Sequence, residues 1–153
     1  MKLIMACSAD GYLAKSSNDN MRWTEGDDKK VFKLLTMGET MGAGSNTYEL
    51  MKDLKLPGRS LTKISRYDGI SLEDFAARNK TLIGGATIAR AAFNRNMIDI
   101  AYICRSYKLL GPEMTEQDRL SFAIEETGLQ AKMKYIDSIS FDRVVVEIYK
   151  RRG

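Results

Sequence analysis

Asp28 is the carboxylate with no structural duty in its own stretch. In Met21-Arg22-Trp23-Thr24-Glu25-Gly26-Asp27-Asp28, Thr24 is a good helix N-cap, and Asp27, three residues on, fills the acidic position of a capping box. Val31, Phe32 and Leu35 then mark an apolar helical face, and Asp28 lies i−3 and i−4 from the first two, on that same face. On spacing alone two readings stay open. The carboxylate complements the helix dipole with its head in water, or it sits at the floor of an apolar pocket, where it would hydrogen-bond a planar cationic or amidine-like group at two points.

Two glycine-rich turns are the next candidates. Gly42-Ala43-Gly44 closes a short strand and Ser45-Asn46-Thr47 opens a helix, which is the layout of an anion site or of a plain tight turn. Gly84-Gly85 repeats that layout between Lys80-Thr81-Leu82-Ile83 and a helix from Ala86, so backbone there can approach a ligand or the neighbouring strand. Arg59 and Arg66 flank the strand between these turns, either as surface cations or as forks for a carboxylate or phosphate.

Composition removes other chemistries. The chain has 153 residues, a net charge of +4, two cysteines and no histidine, which excludes His acid–base catalysis and His-containing zinc sites. The charge suits small anionic ligands, and no basic-aromatic stacking pattern points to nucleic acid. No apolar run is long enough to span a membrane, and the residues before Asp10-Gly11 are too few for a signal peptide, so a cytoplasmic single domain over residues 1–153 is expected. Cys7 and Cys104 fall in apolar strands and read as buried free thiols.

The elements that must position these residues alternate. Lys2 to Ala9 reads as a central strand, followed by the polar stretch Lys15–Asn20, a candidate lid before the only Trp or a plain surface loop. A helix from Thr24 to about Met37 stops at Gly38, and strand Thr40–Gly44 leads into a helix to Lys52. Strand Ser60–Ser65, a short helix Leu72–Ala77 capped by Ser71, strand Lys80–Ile83, helix Ala86–Phe93 and strand Ile98–Ser106 follow. Beyond that, Tyr107 to Arg119 reads as loop, then strands Ser121–Glu125, Gln130–Ile136 and Phe141–Tyr149, with a turn at Asp137-Ser138. The fold class expected is α/β: one domain, a mostly parallel central sheet with an antiparallel C-terminal edge strand, flanked by about four helices.

Taken together, the chain resembles the dihydrofolate reductases over nearly its whole length. The pieces come in family order: Ala6, Asp10-Gly11, Met21-x-Trp23, Asp28, Phe32, Thr36, Gly44-x-x-Thr47, Leu56-Pro57-Gly58-Arg59, Ser65-Arg66, Ile83-Gly84-Gly85, and Glu147-Ile148-Tyr149-Lys150-Arg151. The resemblance implies reduction of 7,8-dihydrofolate to tetrahydrofolate with NADPH, by a monomer acting on small molecules. It makes Asp28 the pterin-binding carboxylate and Trp23 part of a mobile lid. Ile4, Ala6, Phe32, Met51, Leu56 and Ile83 would wall the substrate pocket, and Arg59 would pair with the α-carboxylate of the glutamate tail. Ala6, Leu13, Gly44, Ser45, Asn46, Thr47, Ser65, Arg66, Gly84, Gly85, Ala86 and Thr87 would line the NADPH site, with Arg66 facing the 2′-phosphate.

The chain departs from the family pattern in places. Arg22 stands where a proline is usual, Ser45 where a basic residue commonly holds the cofactor phosphate, and Cys104 where a Thr usually supports the pterin-binding acid. Ala86-Thr87-Ile88-Ala89 replaces the third glycine and the aromatic that covers the nicotinamide, and the segment from Ser65 to Ile83 is short. Two alternatives stay open. The Asp10-Gly11, Gly44-x-x-Thr47 and Gly84-Gly85 pieces also resemble the pyrimidine reductase domain of riboflavin biosynthesis, and the departures fit a folate- or nucleotide-binding relative without turnover.

Overall fold

Among the described residues, seven strands form one sheet in the order β3-β2-β4-β1-β5-β7-β6. The computed structural model describes residues 1–16, 19 and 27–153, for Asp27 the backbone alone. The strands are β1 (Lys2–Cys7), β2 (Thr40–Gly44), β3 (Ser60–Ile64), β4 (Thr81–Leu82), β5 (Ile100–Ser106), β6 (Met133–Ser140) and β7 (Val144–Arg151). The helices are α1 (Asp27–Thr36), α2 (Ser45–Met51), α3 (Leu72–Arg78), α4 (Ala86–Asn94), α5 (Glu116–Phe122) and α6 (Leu129–Lys132). β1 to β5 pair in parallel, and β7 runs antiparallel to both β5 and β6.

β1 is central because its residues are apolar in both directions. Leu3, Met5 and Cys7 point into one core with Phe75 of α3 and Ala89, Ala92 and Phe93 of α4. Ile4 points the other way, into a second core with Val31 of α1, Met41 and Ala43 of β2, and Cys104 of β5. Successive strand residues face opposite sides of a sheet, so these two clusters are its two faces. α3 is pressed hard onto the first face: a Cβ on Gly42 would lie 2.5 Å from the tip of the Phe75 ring. Glycine is required there by space rather than by conformation.

Local chemistry sets the ends. Gly38 has φ +78° beyond α1 and donates its N–H to the carbonyl of Gly58 at 2.9 Å, which fastens the Leu56–Arg59 turn to that helix end. Ser71 caps α3 by accepting from the N–H of Asp74 at 3.0 Å, as its sequence position predicts.

The C-terminal third differs in detail from expectation. Residues 107–119 hold a 3-10 turn (Gly111–Glu113) and the start of α5, not an open loop. The expected strand Ser121–Glu125 is the end of α5 and a second 3-10 turn. Leu120, Phe122 and Ile124 alternate as a strand would, but Thr115 accepts from the N–H of Asp118 at 3.1 Å and starts a helix first. Asp137-Ser138 lies inside β6, at a bulge between Tyr135 and Asp137, where the Asp137 carboxylate accepts from the N–H of Ser138 at 2.8 Å. The chain reverses instead at residues 141–143, closed by the N–H of Phe141 donating to the carbonyl of Val144 at 2.8 Å. β7 therefore sits one place in from the edge, and β6 forms the edge. Four helices flank the parallel part of the sheet, and the short α5 and α6 add two more.

Candidate functional site

α1 lays the Asp28 side of its apolar stripe against the second face of the sheet. Asp28 is 7% exposed, while its neighbour Lys29 is in solvent. All six residues expected to wall a pocket fall in the cluster on this face: Ile4 and Ala6 of β1, Phe32 of α1, Met51 of α2, Leu56 of the following turn, and Ile83. Burial pushes the Cys104 thiol up to about 12, and the charge of Asp28 adds to that rise. Cys104 is buried at 2% exposure and free, like Cys7.

Arg59 closes the other end of this wall. Its Nη1 donates to Oγ1 of Thr36 at 3.2 Å, and Thr36 in turn donates to the carbonyl of Phe32 at 2.8 Å. The Arg59 Nε is buried with no hydrogen-bond partner among the described residues. A buried guanidinium N–H without an acceptor is costly, and a carboxylate would satisfy it with a charge-assisted bond. Thr36 is fully buried, and the Phe32-x-x-x-Thr36 spacing places it one turn on from Phe32 on the same helical face.

The glycine turns converge at the carboxyl ends of three adjacent parallel strands, where α/β sheets commonly bind ligands. The N–H of Gly44 donates to the carbonyl of Gly84 at 2.8 Å, and a Cβ on Gly85 would lie 3.1 Å from Oγ1 of Thr47. The Gly84–Gly85 peptide is cis, and Gly84 has φ +111°. Gly44 pairs with Ile64 in register, which sets Ser65-Arg66 beside Ser45-Asn46. Ser65 Oγ accepts from the N–H groups of Tyr67 and Asp68, and the Arg66 guanidinium lies 5.8 Å over the ring of Tyr67, both residues exposed. Lys63 ties this loop to α2 through Asp68 at 2.7 Å and Glu49 at 3.1 Å. Ala86 and Thr87 open α4 with backbone N–H groups directed out of its first turn, and Ser45, Asn46 and Thr87 are exposed.

Two expected residues stand apart. Leu13 is buried at 5% in the cluster on the opposite face, with its N–H held by the carbonyl of Phe122 at 2.8 Å. Trp23 lies outside the described residues, as do Thr24 and half of the candidate lid. The base of that stretch is described and is firmly tied. Asp10 accepts from Oγ of Ser8 at 2.5 Å and from the N–H groups of Leu110 and Gly111 at 3.1 and 2.9 Å. Arg105 donates to Glu147 at 2.9 Å and to the carbonyls of Ser8 and Ala9 at 3.4 and 3.3 Å. The signal for that clamp was a single cation in an apolar strand and a single acid in the strand paired with it.

No family model matches the sequence, and no curated protein matches it. Among solved structures, dihydrofolate reductase from Enterococcus faecalis, complexed with NADP(H) and RAB-propyl, matches with a TM-score of 0.73 at 20% identity, over 99% of this chain and 96% of that one. The chain therefore has the dihydrofolate reductase fold, over its whole length.

Proposed function

We propose that the protein reduces 7,8-dihydrofolate to 5,6,7,8-tetrahydrofolate at the expense of NADPH. The observation that carries the reading is one apolar wall with a buried carboxylate, Asp28, at one end and a guanidinium with an unsatisfied buried N–H, Arg59, at the other. Such a wall fits a flat heterocycle with an amidine-like edge joined to a carboxylate tail.

Asp28 would accept hydrogen bonds from the pterin edge, fix its orientation and favour its protonated form electrostatically. With no histidine in the chain, water reaching N5 past the Trp23 stretch would carry the proton. Ile4, Phe32 and Ile83 would keep the ring dry, which strengthens the Asp28 interaction. The two glycine turns meet through the Gly44 N–H and the Gly84 carbonyl at the starts of α2 and α4, an arrangement that suits NADPH. Gly44 to Thr47, Ser65-Arg66 and Gly84 to Thr87 would hold it, and it would supply the hydride. The reading makes the protein a cytoplasmic monomer. Among the described residues no helix is long and apolar enough to cross a membrane.

NADPH oxidation with dihydrofolate, wild type beside Asp28→Asn, tests the reading. We expect turnover in the wild type and a loss of about a hundredfold or more in the variant, the scale of removing one preorganised electrostatic partner. Turnover unaffected by the substitution would show that the pocket is misassigned. Absence of turnover in both would overturn the reading in favour of a pyrimidine reductase or a binding protein.

A further inference from the structure

Lys63 draws two acids onto itself at the base of the turn that presents Arg66. Its ammonium lies 2.7 Å from the carboxylate of Asp68, 3.1 Å from that of Glu49 and 5.6 Å from the centre of the Tyr48 ring. The turn itself does not need that ammonium for its shape. The N–H of Ser65 donates to the carbonyl of Ile70 at 3.0 Å, and the N–H of Ile70 to the carbonyl of Lys63 at 3.1 Å. Ser65 Oγ accepts from the N–H groups of Tyr67 and Asp68, and a Cβ on Gly69 would lie 2.5 Å from the Lys63 carbonyl, so the turn is closed on its own backbone. What the ammonium changes is charge. Arg66 and Asp68 are the two charged residues of the turn, two positions apart and both exposed. Asp68 is held by Lys63, while Arg66 forms no ion pair among the described residues. Glu49 has a second cation in Lys52 at 2.6 Å, whereas Lys63 is the one ion-pair partner of Asp68 among the described residues.

We propose that Lys63 is a positioning residue for cofactor choice: by holding the Asp68 carboxylate it leaves Arg66 as the one uncompensated charge of the turn, and so favours a 2′-phosphate over a 2′-hydroxyl. The inference rests on the cofactor part of the reading above. NADPH and NADH differ only at that group of the adenosine ribose. A phosphomonoester carries nearly two negative charges and matches a guanidinium. A hydroxyl is neutral and donates well to a carboxylate, which is why an acid beside the ribose suits NADH and an arginine suits NADPH. A released Asp68 would compensate Arg66, repel the phosphate and offer the hydroxyl an acceptor. The effect of Lys63 therefore passes through Asp68.

Calorimetric titration of the whole chain with NADPH and with NADH, at low salt and without dihydrofolate, tests this. The wild type should bind NADPH about tenfold or more tightly than NADH. Lys63→Met keeps the apolar stem and removes the charge. It should weaken NADPH by roughly tenfold, the scale of one carboxylate facing a dianion several ångströms away in water, and NADH by about twofold or less. Lys63→Met combined with Asp68→Asn should restore the wild-type preference. Lys63→Arg and Asp68→Asn alone, which leave a cation in place, should keep it. The effect of Lys63→Met should shrink at about 0.5 M salt, where the Debye length falls to a few ångströms. Equal weakening of both cofactors, or a double variant that stays impaired, would overturn the proposal and leave the cofactor reading standing, because Lys63 would then act as a staple alone. Loss of the preference in Asp68→Asn alone, or equal affinities in the wild type, would overturn it as well. No saturable binding of either cofactor would overturn the cofactor reading, and the proposal with it.

Discussion

Replacing Gly42 with alanine measures how tightly α3 is pressed onto β2. A Cβ there would lie 2.5 and 2.7 Å from two atoms of the Phe75 ring and 2.7 Å from Cδ1 of Ile64. Carbon atoms in contact prefer about 3.5–4.0 Å, so the ring must retreat by roughly 1 Å. The Ile64 methyl can swing aside, but Phe75 is 0% exposed and anchors α3, so its movement is resisted by the whole first-face core. Where space allows it, Gly to Ala stabilises by about 0.4–1 kcal/mol through the unfolded chain, so the sign of the change is itself diagnostic. Overpacking of this kind costs about 1–3 kcal/mol, and a stiff ring places it in the upper half of that range. For a chain of this size about 2–3 kcal/mol corresponds to a fall in Tm of about 4–12 °C. Urea unfolding should show a lower midpoint at an unchanged m value. Phe75→Leu in the same chain removes the ring edge, and the double variant should be more stable than the two single effects predict, by about 1 kcal/mol or more. An unchanged or raised midpoint for Gly42→Ala, or strict additivity of the pair, would refute the reasoning.

Three other outcomes are expected. Arg59→Met should raise KM for dihydrofolate by about ten- to a hundredfold and change kcat far less, the loss of charge-assisted bonds to a bound carboxylate, read from steady-state kinetics. At Asp10, burial tends to raise the carboxyl pKa, but the bonds from Ser8, Leu110 and Gly111 outweigh it and hold the group below its ordinary 3.8. The stabilisation is therefore present at neutral pH and is lost as pH falls from 3.8 through the lower folded value. Asp10→Asn should cost roughly 1 kcal/mol at pH 7, discounted for an exposed carboxylate, and progressively less as the pH is lowered below 3.8, measured by urea unfolding across that range. Burial pushes Cys7 and Cys104 up to about 12, so a disulfide-exchange reagent at pH 8 should label neither thiol within minutes in the native protein and both in denaturant, and a fast native phase would contradict their burial.

Much of this arrangement is legible in the chain because it rests on short-range rules. The Asp28–Val31–Phe32 face follows from helical spacing, and the turns at Gly44 and Gly84 follow from where glycine interrupts apolar strands. The alternation of strand and helix up to Ser106 carries the parallel sheet with it. The C-terminal third is less legible because its signals compete. Asp137 and Ser138 are turn formers spent on a bulge, whereas the actual reversal, Phe141-Asp142-Arg143, contains neither Gly nor Pro. Thr115 and Asp118 did announce α5, but Leu120, Phe122 and Ile124 alternate as in a strand. The unsatisfied Nε of Arg59 is a property of tertiary packing, and no local pattern encodes it.

The central place of β1 has a consequence for biosynthesis. Its partners are residues 81–82 on one side and 100–105 on the other, so β1 is made before either of its neighbours. At translation speeds of about 5–20 residues per second, some 93 residues separate Cys7 from Ile100, a delay of roughly 5–19 seconds. During that interval Leu3, Ile4, Met5 and Cys7, all destined for one or other face of the core, lack the strand that pairs with β1 along its whole length. A nascent-chain-binding chaperone would find a long-unpaired apolar segment in β1, and its release would be timed by the arrival of β5 rather than by the completion of any early helix.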